Sequence, residues 1–378
     1  MAAPRKLRLG MVGGGRDAFI GAVHRIAARL DGHYDLVAGA LSSRPDVARA
    51  SAADLGIAPE RAYTDYRDMA NAEAKRDDGI DAVSIVTPNN VHFPVAKAFL
   101  EAGIHVICDK PLTSTLADAR ALASAAKASK AKFLLTHNYT GYPLMRQARA
   151  MVAAGELGKI RVVQAEYPQD WLTEEVHNKQ ANWRVDPEQS GAGGCIGDIG
   201  THAYNLARFV TALKLAELAA DLTTFVPGRR IDDNVNILLR FEGGARGMLW
   251  ASQVSPGNEN GVALRVYGEK GGLEWVQAEP NKMWYAPFGK PRQLITRGGA
   301  TPIGSDAAGA AVRIPPGHPE GYLEAFATLY SDFATLIRSG KGGEMLPTLA
   351  DGVEGMEFIT AAVKSSSDNG RWTKFSDV

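Results

Sequence analysis

A carboxylate and an imidazole stand four residues apart, Asp198 and His202, inside the glycine-rich stretch Ser190-Gly191-Ala192-Gly193-Gly194-Cys195-Ile196-Gly197-Asp198-Ile199-Gly200-Thr201-His202. That spacing puts both side chains on one helical face, where they can act together on a hydroxyl proton. An imidazole with its ordinary pKa near ~6.5 can be neutral at cellular pH and serve as the base. A plainer role is also open: Asp198 as the cap of a helix through 203–210, with His202 packed beside it. A third candidate, Lys110, follows the apolar run 104–108 and precedes Pro111. At the carboxyl end of a buried strand its ammonium enters a ligand crevice and favours negative charge developing on oxygen. The bland alternative is a solvated surface lysine.

These groups need elements to carry them. The run 7–12 reads as a short buried strand that enters Gly13-Gly14-Gly15, and 18–30 has helical periodicity. Glycines in such a turn let the backbone approach a pyrophosphate, which then sits at the helix N-terminus. Two registers fit: Gly13 and Gly15 with Ala18 in third place, or Gly21 there after an insertion. The second is preferred. The next strand, 34–41, ends at Ser42-Ser43-Arg44. Hydroxyls beside an Arg suit a 2′-phosphate, whereas Asp46 close by suits a ribose hydroxyl, so the cofactor is NAD or NADP with a lean to NADP.

Alternation continues with a helix over 65–74, a strand at 81–86, a helix over 91–102, a strand at 104–108, a helix over 116–128 and a strand at 132–136. That pattern implies a doubly wound parallel sheet. Its strand ends carry Thr87-Pro88-Asn89-Asn90 with His92, then Asp109-Lys110-Pro111, then His137-Asn138-Tyr139.

Beyond 138 the pattern changes. A helix over 143–154 and a strand over 160–167 precede a long loop and the glycine stretch. From 220 to 284 mostly strands follow, with hairpin turns at Arg240-Phe241-Glu242-Gly243-Gly244 and Gly268-Glu269-Lys270-Gly271-Gly272. This implies a largely antiparallel sheet. The run 297–311 reads as a mobile surface loop, and helices over 322–337 and 347–364 end the chain. The expected domains are 1–138, binding dinucleotide, and 139–378, binding substrate and assembling subunits.

The bulk properties limit the partners. The chain has 378 residues, 45% hydrophobic and 22% charged, which suits two globular domains. Its 42 basic and 42 acidic residues cancel, which argues against nucleic-acid and membrane-surface partners. Cys108 and Cys195 make no disulfide framework and no metal-site spacing, so no metal is expected. Neither a signal-peptide core nor a membrane-length apolar run is present in the sequence, and the expected location is the cytoplasm.

Taken in order, Gly21-x-x-His24, Thr87-Pro88-Asn89 with His92, Asp109-Lys110-Pro111 and Gly197-Asp198-Ile199-Gly200-Thr201-His202 resemble the Gfo/Idh/MocA family of NAD(P)-dependent oxidoreductases. Trp183-Arg184, Asp232-Asp233-Asn234 and Phe241-Glu242-Gly243-Gly244 with Gly247 extend the resemblance over most of the chain. It implies a Rossmann α/β domain followed by an α+β domain with a large, mostly antiparallel sheet. It implies that Lys110 touches substrate and nicotinamide ribose, that His202 is the acid/base, and that Asp198 orients substrate or histidine. The cofactor set becomes Gly13, Gly15, Gly21, Ser42, Ser43, Arg44, Thr87, Pro88, Asn89, His92, Asp109 and Lys110. Candidate substrate contacts are Asn138, Tyr139, Trp171, Trp183, Arg184 and Asn205, together with Lys110, Asp198 and His202; His177 is left out. Two departures stand out: Asp109 where the family commonly has Glu, and Asn205 where it has Asp.

The activity implied is hydride transfer to or from a secondary alcohol of a sugar, inositol or glycoside. Alternatives are a glycosidase that oxidises its substrate transiently on bound NAD, and a dinucleotide-sensing regulator. A homodimer or homotetramer formed through the second sheet is the expected assembly.

Overall fold

The computed structural model describes residues 4–299 and 306–378. Its chain divides into two units, one made of Met1–Thr136 with Phe326–Val353 and the other of His137–Ala325 with Glu354–Val378.

In the first unit, short apolar runs become strands that are buried on both faces, as a parallel sheet covered by helices requires. The strands are β1 (Leu7–Gly13), β2 (Tyr34–Ala40), β3 (Ala82–Val86), β4 (His105–Cys108) and β5 (Phe133–Leu135). They pair in parallel in the order β2-β1-β3-β4-β5. The order reverses between β1 and β3, and open sheets of this kind bind ligands at the carboxyl ends beside that point. The helices between strands are α1 (Phe19–Leu30), α2 (Pro45–Asp54), α3 (Tyr66–Glu73), α4 (Asn89–Glu101) and α5 (Leu116–Lys127). Sequence signals set their starts: Asp65 accepts from the amides of Arg67 and Asp68, and Thr115 from that of Asp118. On α1, Gly21, Val23, His24, Ala27 and Ala28 form the buried face.

The second unit continues with α6 (Pro143–Ala153), β6 (Ile160–Pro168), α7 (Lys179–Arg184), α8 (Pro187–Ser190), α9 (Thr201–Thr211), β7 (Leu215–Thr223), β8 (Asn234–Phe241) and β9 (Arg246–Ser252). Next come β10 (Ala263–Gly268), β11 (Gly271–Val276), β12 (Lys282–Pro287), β13 (Gln293–Thr296) and α10 (Asp306–Gly309). The chain ends with α11 (Tyr322–Ser339), α12 (Leu349–Ser367) and β14 (Thr373–Lys374). Nine strands pair in the order β13-β12-β11-β10-β6-β9-β8-β7-β14. The β6–β9 pair is parallel and the other described pairs are antiparallel. Alternation along β8 shows why one face is covered and one open: Val235, Ile237, Leu239 and Phe241 are buried, while Asn236 and Leu238 are exposed. On the covered side α9 packs along β6, and Tyr204 stacks on Phe358 of α12 with ring centroids 4.2 Å apart.

Two expectations change. A single boundary after 138 misses the return of Phe326–Val353 to the first unit. There the buried rings of Phe326, Tyr330 and Phe333 on α11 pack against His24, Tyr34 and His105. The expected mobile loop over 297–311 is anchored at its near end. Arg297 is 2% exposed, pairs with Glu320 at 3.0 Å and donates to Asn281 and the carbonyls of Ile314, Pro315 and His318. Ala308 and Ala311 are buried at its far end, and residues 300–305 lie outside the described residues. No described helix is long and apolar enough to cross a membrane.

Candidate active site

The first unit shapes its site with backbone. Gly13 and Gly14 adopt φ of 80° and 69°, the left-handed region that glycine enters without strain. A Cβ on Gly21 would overlap the Cα of Gly14, so α1 lies directly on the turn. This close approach is the use expected of the third glycine. Ala18 sits instead at the N-cap of α1, supplying no side-chain cap, and the first turn of α1 carries no acidic residue. An uncapped helix start without acidic side chains suits an anion. The Arg25 guanidinium donates to the carbonyl of Gly14 at 2.6 Å, and the amide of Gly15 to that of Leu41 at 3.1 Å. Beside the turn lies a cavity of about 420 Å3 lined by Gly14, Gly15, Ala18, Phe19, Ala22 and Ser51 among others. These residues fit a dinucleotide pyrophosphate.

At the end of β2, Ser42 is half-buried and Ser43 and Arg44 are exposed. The Ser42 hydroxyl accepts from the Arg44 amide at 3.2 Å, and the Arg44 guanidinium pairs with Asp46 at 3.0 Å. At the β3 end, Thr87 and Pro88 are half-buried and Asn89 opens α4. His92 is buried, with Nδ1 2.8 Å from the carbonyl oxygen of Pro111 and Nε2 3.0 Å from that of Thr87. It ties two strand-end loops together, and burial holds its pKa below the ordinary value. At the β4 end Asp109 accepts from the Thr136 hydroxyl at 2.8 Å, and Lys110 is half-buried.

The second unit shapes its site with side chains. Residues Ile196–Gly200 form a π-helical turn that runs into α9, a distortion frequent at functional sites. Asp198 lies in that turn and does not cap α9. Its carboxylate accepts from Gln253 at 2.9 Å and pairs with Arg184 at 3.3 Å. Arg184 lies over Trp183 at 4.3 Å and Trp171 at 5.9 Å, which brings three of the predicted contacts to Asp198.

His202, 7% exposed, is boxed by aromatic edges: Tyr139 at 5.0 Å, His137 at 5.3 Å and Tyr167 at 6.1 Å between centroids. Tyr139 is buried. Its hydroxyl meets that of Tyr167 at 2.7 Å and the Asn260 amide at 3.3 Å, and burial pushes its pKa up to about 12. Asn138 and Asn205 are both buried, and Asn138 Nδ2 and Asn205 Oδ1 have no hydrogen-bond partner. Buried amide atoms of this kind are expected to meet a ligand or water. His177 is exposed beside Glu175.

Sequence reasoning missed Gln253 and Asp232. The Asp232 carboxylate accepts from the amides of Gly194 at 2.7 Å and Ile196 at 2.8 Å, and its carbonyl from that of Cys195 at 2.8 Å. Burial raises its pKa to about 6 against the pull of those amides. The Asp232-Asp233 pair was visible in the sequence, but nothing local joins it to a segment almost forty residues earlier. Gln253 follows β9 with no pattern around it. No group of three or more metal-ligating side chains occurs among the described residues.

Residues 7–137 match the model of the oxidoreductase family with an NAD-binding Rossmann fold, and residues 145–274 match the GFO/IDH/MocA C-terminal domain. A crystal structure of an oxidoreductase from Sinorhizobium meliloti is 57% identical with a TM-score of 0.91, covering 98% of this chain and 100% of that one. An inositol dehydrogenase homolog from Azotobacter vinelandii, complexed with NADH and myo-inositol, is 37% identical with a TM-score of 0.91 over 98% of each chain. Levoglucosan dehydrogenase of Pseudarthrobacter phenanthrenivorans is 27% identical over 97% of this chain and 98% of its own.

Proposed function

The chain belongs to the GFO/IDH/MocA family of oxidoreductases with an NAD-binding Rossmann fold, and from that premise we propose that it transfers hydride between a secondary alcohol of a sugar, inositol or glycoside and a nicotinamide dinucleotide. The observation that carries this reading is the boxed His202, on the same helix as Asn205 and its open amide oxygen. Relatives that bind myo-inositol or are named for levoglucosan support the substrate class.

The bound dinucleotide supplies the hydride acceptor or donor. His202 takes the hydroxyl proton during oxidation and returns it during reduction. Lys110 polarises the hydroxyl oxygen and favours its negative charge. Asp198 and Arg184 form one charge-balanced unit, so Asp198 orients ring hydroxyls while Trp171 and Trp183 offer faces to the C–H surface of the ring. The Asn138 and Asn205 amides add a donor and an acceptor for hydroxyls. Tyr139, its hydroxyl engaged by Tyr167 and Asn260, acts as a wall of the His202 box.

Nicotinamide absorbance tests this reading against a panel of sugars, inositols and glycosides. NAD and NADP are run in parallel because the Arg44–Asp46 pair is solvent-exposed and screened, and so opens readily to a 2′-phosphate. Reduction with one substrate class is expected. Lys110→Ala and His202→Ala should each lower turnover by about 1,000-fold with dinucleotide affinity nearly unchanged. Silence across the panel with dinucleotide bound would sink the dehydrogenase and favour the redox-neutral glycosidase or the regulator.

The open sheet face serves, in this reading, a second copy of the chain. One register row crosses eight strands: Ala219, Leu238, Met248, Gln164, Arg265, Glu274, Trp284 and Leu294. Four of them, Leu238, Met248, Trp284 and Leu294, are large, apolar and at least 40% exposed, which is unusual on a sheet face left to water. Sedimentation should show a dimer or tetramer that Leu238→Glu weakens. A wild-type monomer would refute it. A cytoplasmic location suits Cys108 and Cys195, both buried and reduced.

A further inference from the structure

His24, from the Gly21-x-x-His24 pattern, has no part in the reading above. It is fully buried on α1. Its Nδ1 lies 2.8 Å from the Tyr330 hydroxyl and 3.2 Å from that of Ser84, and the two hydroxyls are 3.0 Å apart. Phe326 packs on the ring at 5.0 Å. On the far side, Nε2 makes no hydrogen bond and faces Asp109 Oδ1 at 4.0 Å. That same oxygen accepts the Thr136 hydroxyl, and Asp109 directly precedes Lys110.

Counting hydrogens assigns the tautomer. With Nδ1 bare, Tyr330 donates to it and Ser84 donates to Tyr330, so both hydroxyl hydrogens are used inside the cluster. With a hydrogen on Nδ1, one of the two hydroxyl hydrogens has no acceptor among the three groups, and a bare Nε2 lone pair faces a carboxylate. Burial also lowers the His24 pKa to about 4, against the pull of Asp109, so the ring is neutral at working pH.

We propose that His24 is a positioning residue: held by Tyr330 and Ser84 as the Nε2–H tautomer, it aims a donor at Asp109 and so steadies the turn that presents Lys110. The consequence for Lys110 rests on the dehydrogenase reading; the tautomer and its aim do not. At 4.0 Å the contact is longer than a hydrogen bond of ~2.9 Å, and the one extra methylene of Asp109→Glu spans most of that difference.

The first test needs no substrate. In the full chain labelled with 15N-histidine, long-range proton–nitrogen correlation, assigned with His24→Gln, should show the Nε2–H tautomer and no protonation down to about pH 5. An Nδ1–H tautomer, or titration near the ordinary ~6.5, would overturn the proposal. The second test is kinetic. Tyr330→Phe, which deletes one hydroxyl, should lower kcat about tenfold while KM and dinucleotide affinity stay within about twofold. In an Asp109→Asn background it should cost nothing more, because both changes act on one contact. Equal losses in both backgrounds, or a loss confined to KM, would also overturn it. In an Asp109→Glu background, where a direct hydrogen bond to Nε2 can form, Tyr330→Phe should cost kcat more than the tenfold expected in the wild type. If the wild type turns over no substrate, the dehydrogenase reading fails, and the tautomer alone decides the role of His24.

Discussion

Two glycine-rich segments use the same residue for opposite ends. In 13–21, glycine gives the backbone left-handed angles and lets α1 touch the turn, leaving a helix start with no cap and no acid in its first turn. In 193–200, no glycine has a positive φ. A Cβ on Gly194 would overlap the carbonyl oxygen of Asp232, and one on Gly193 would overlap Ile196. The amides of Gly194, Cys195 and Ile196 all go to Asp232. The first segment is open to a ligand; the second is closed on the protein so that Asp198 and His202 stand where they do. Glycine counts therefore say little about ligands until the partner of each amide is known.

Each unit also carries a buried titratable group, His24 on α1 and Asp232 against 194–196, and these respond to pH in opposite senses. His24 has a folded pKa of about 4, below its unfolded value of 6.5, so the unfolded chain binds the extra proton and stability falls as pH drops through that window. Asp232, raised from 3.8 to about 6, holds its proton in the folded chain, so stability falls as pH rises through its window. Each effect is about 3 kcal/mol. Urea unfolding of His24→Gln and Asp232→Asn between pH 4 and 7 should diverge from wild type in opposite directions. The Gln variant gains relative to wild type on acidification and the Asn variant on the rise to neutrality. Parallel slopes would break the comparison.

A smaller effect sharpens it. Gly21→Val should weaken dinucleotide binding by about 100-fold, because the turn and α1 must separate. Gly194→Ala should leave that affinity within about threefold and destabilise the fold by about 1–3 kcal/mol, with turnover reduced. Fluorescence titration with NADH and thermal melts separate the two. Equal loss of affinity in both would mean the segments are not distinct in role.

Much of the first unit was legible because its signals are local. Apolar runs of strand length, helical periods and glycines at φ-positive positions need only their neighbours to be interpreted, and the parallel sheet, the turn and the strand-end loops follow. The place of Lys110 just beyond the end of β4 was legible for the same reason. In the site of the second unit, residue types were legible and environments were not. Tyr139 was legible as a candidate substrate contact, while the engagement of its hydroxyl by Tyr167 and Asn260 was not. Asp198 was legible beside His202, while the hold of Arg184 and Gln253 on its carboxylate was not. Arg297 opens what reads as a mobile loop, yet it is anchored by residues up to twenty-three positions away.

The sequence by itself determined the two-part architecture, the dinucleotide turn and the family's order of motifs, since each depends on backbone preferences and periods within about a dozen residues. Only the tertiary structure decided that Phe326–Val353 returns to the first unit, that Asp232 holds the glycine stretch, and that His24 faces Asp109 across a buried cluster. The physical reason is that burial, charge and hydrogen-bond satisfaction are properties of neighbours in space, and Tyr330 reaches His24 from more than three hundred residues along the chain.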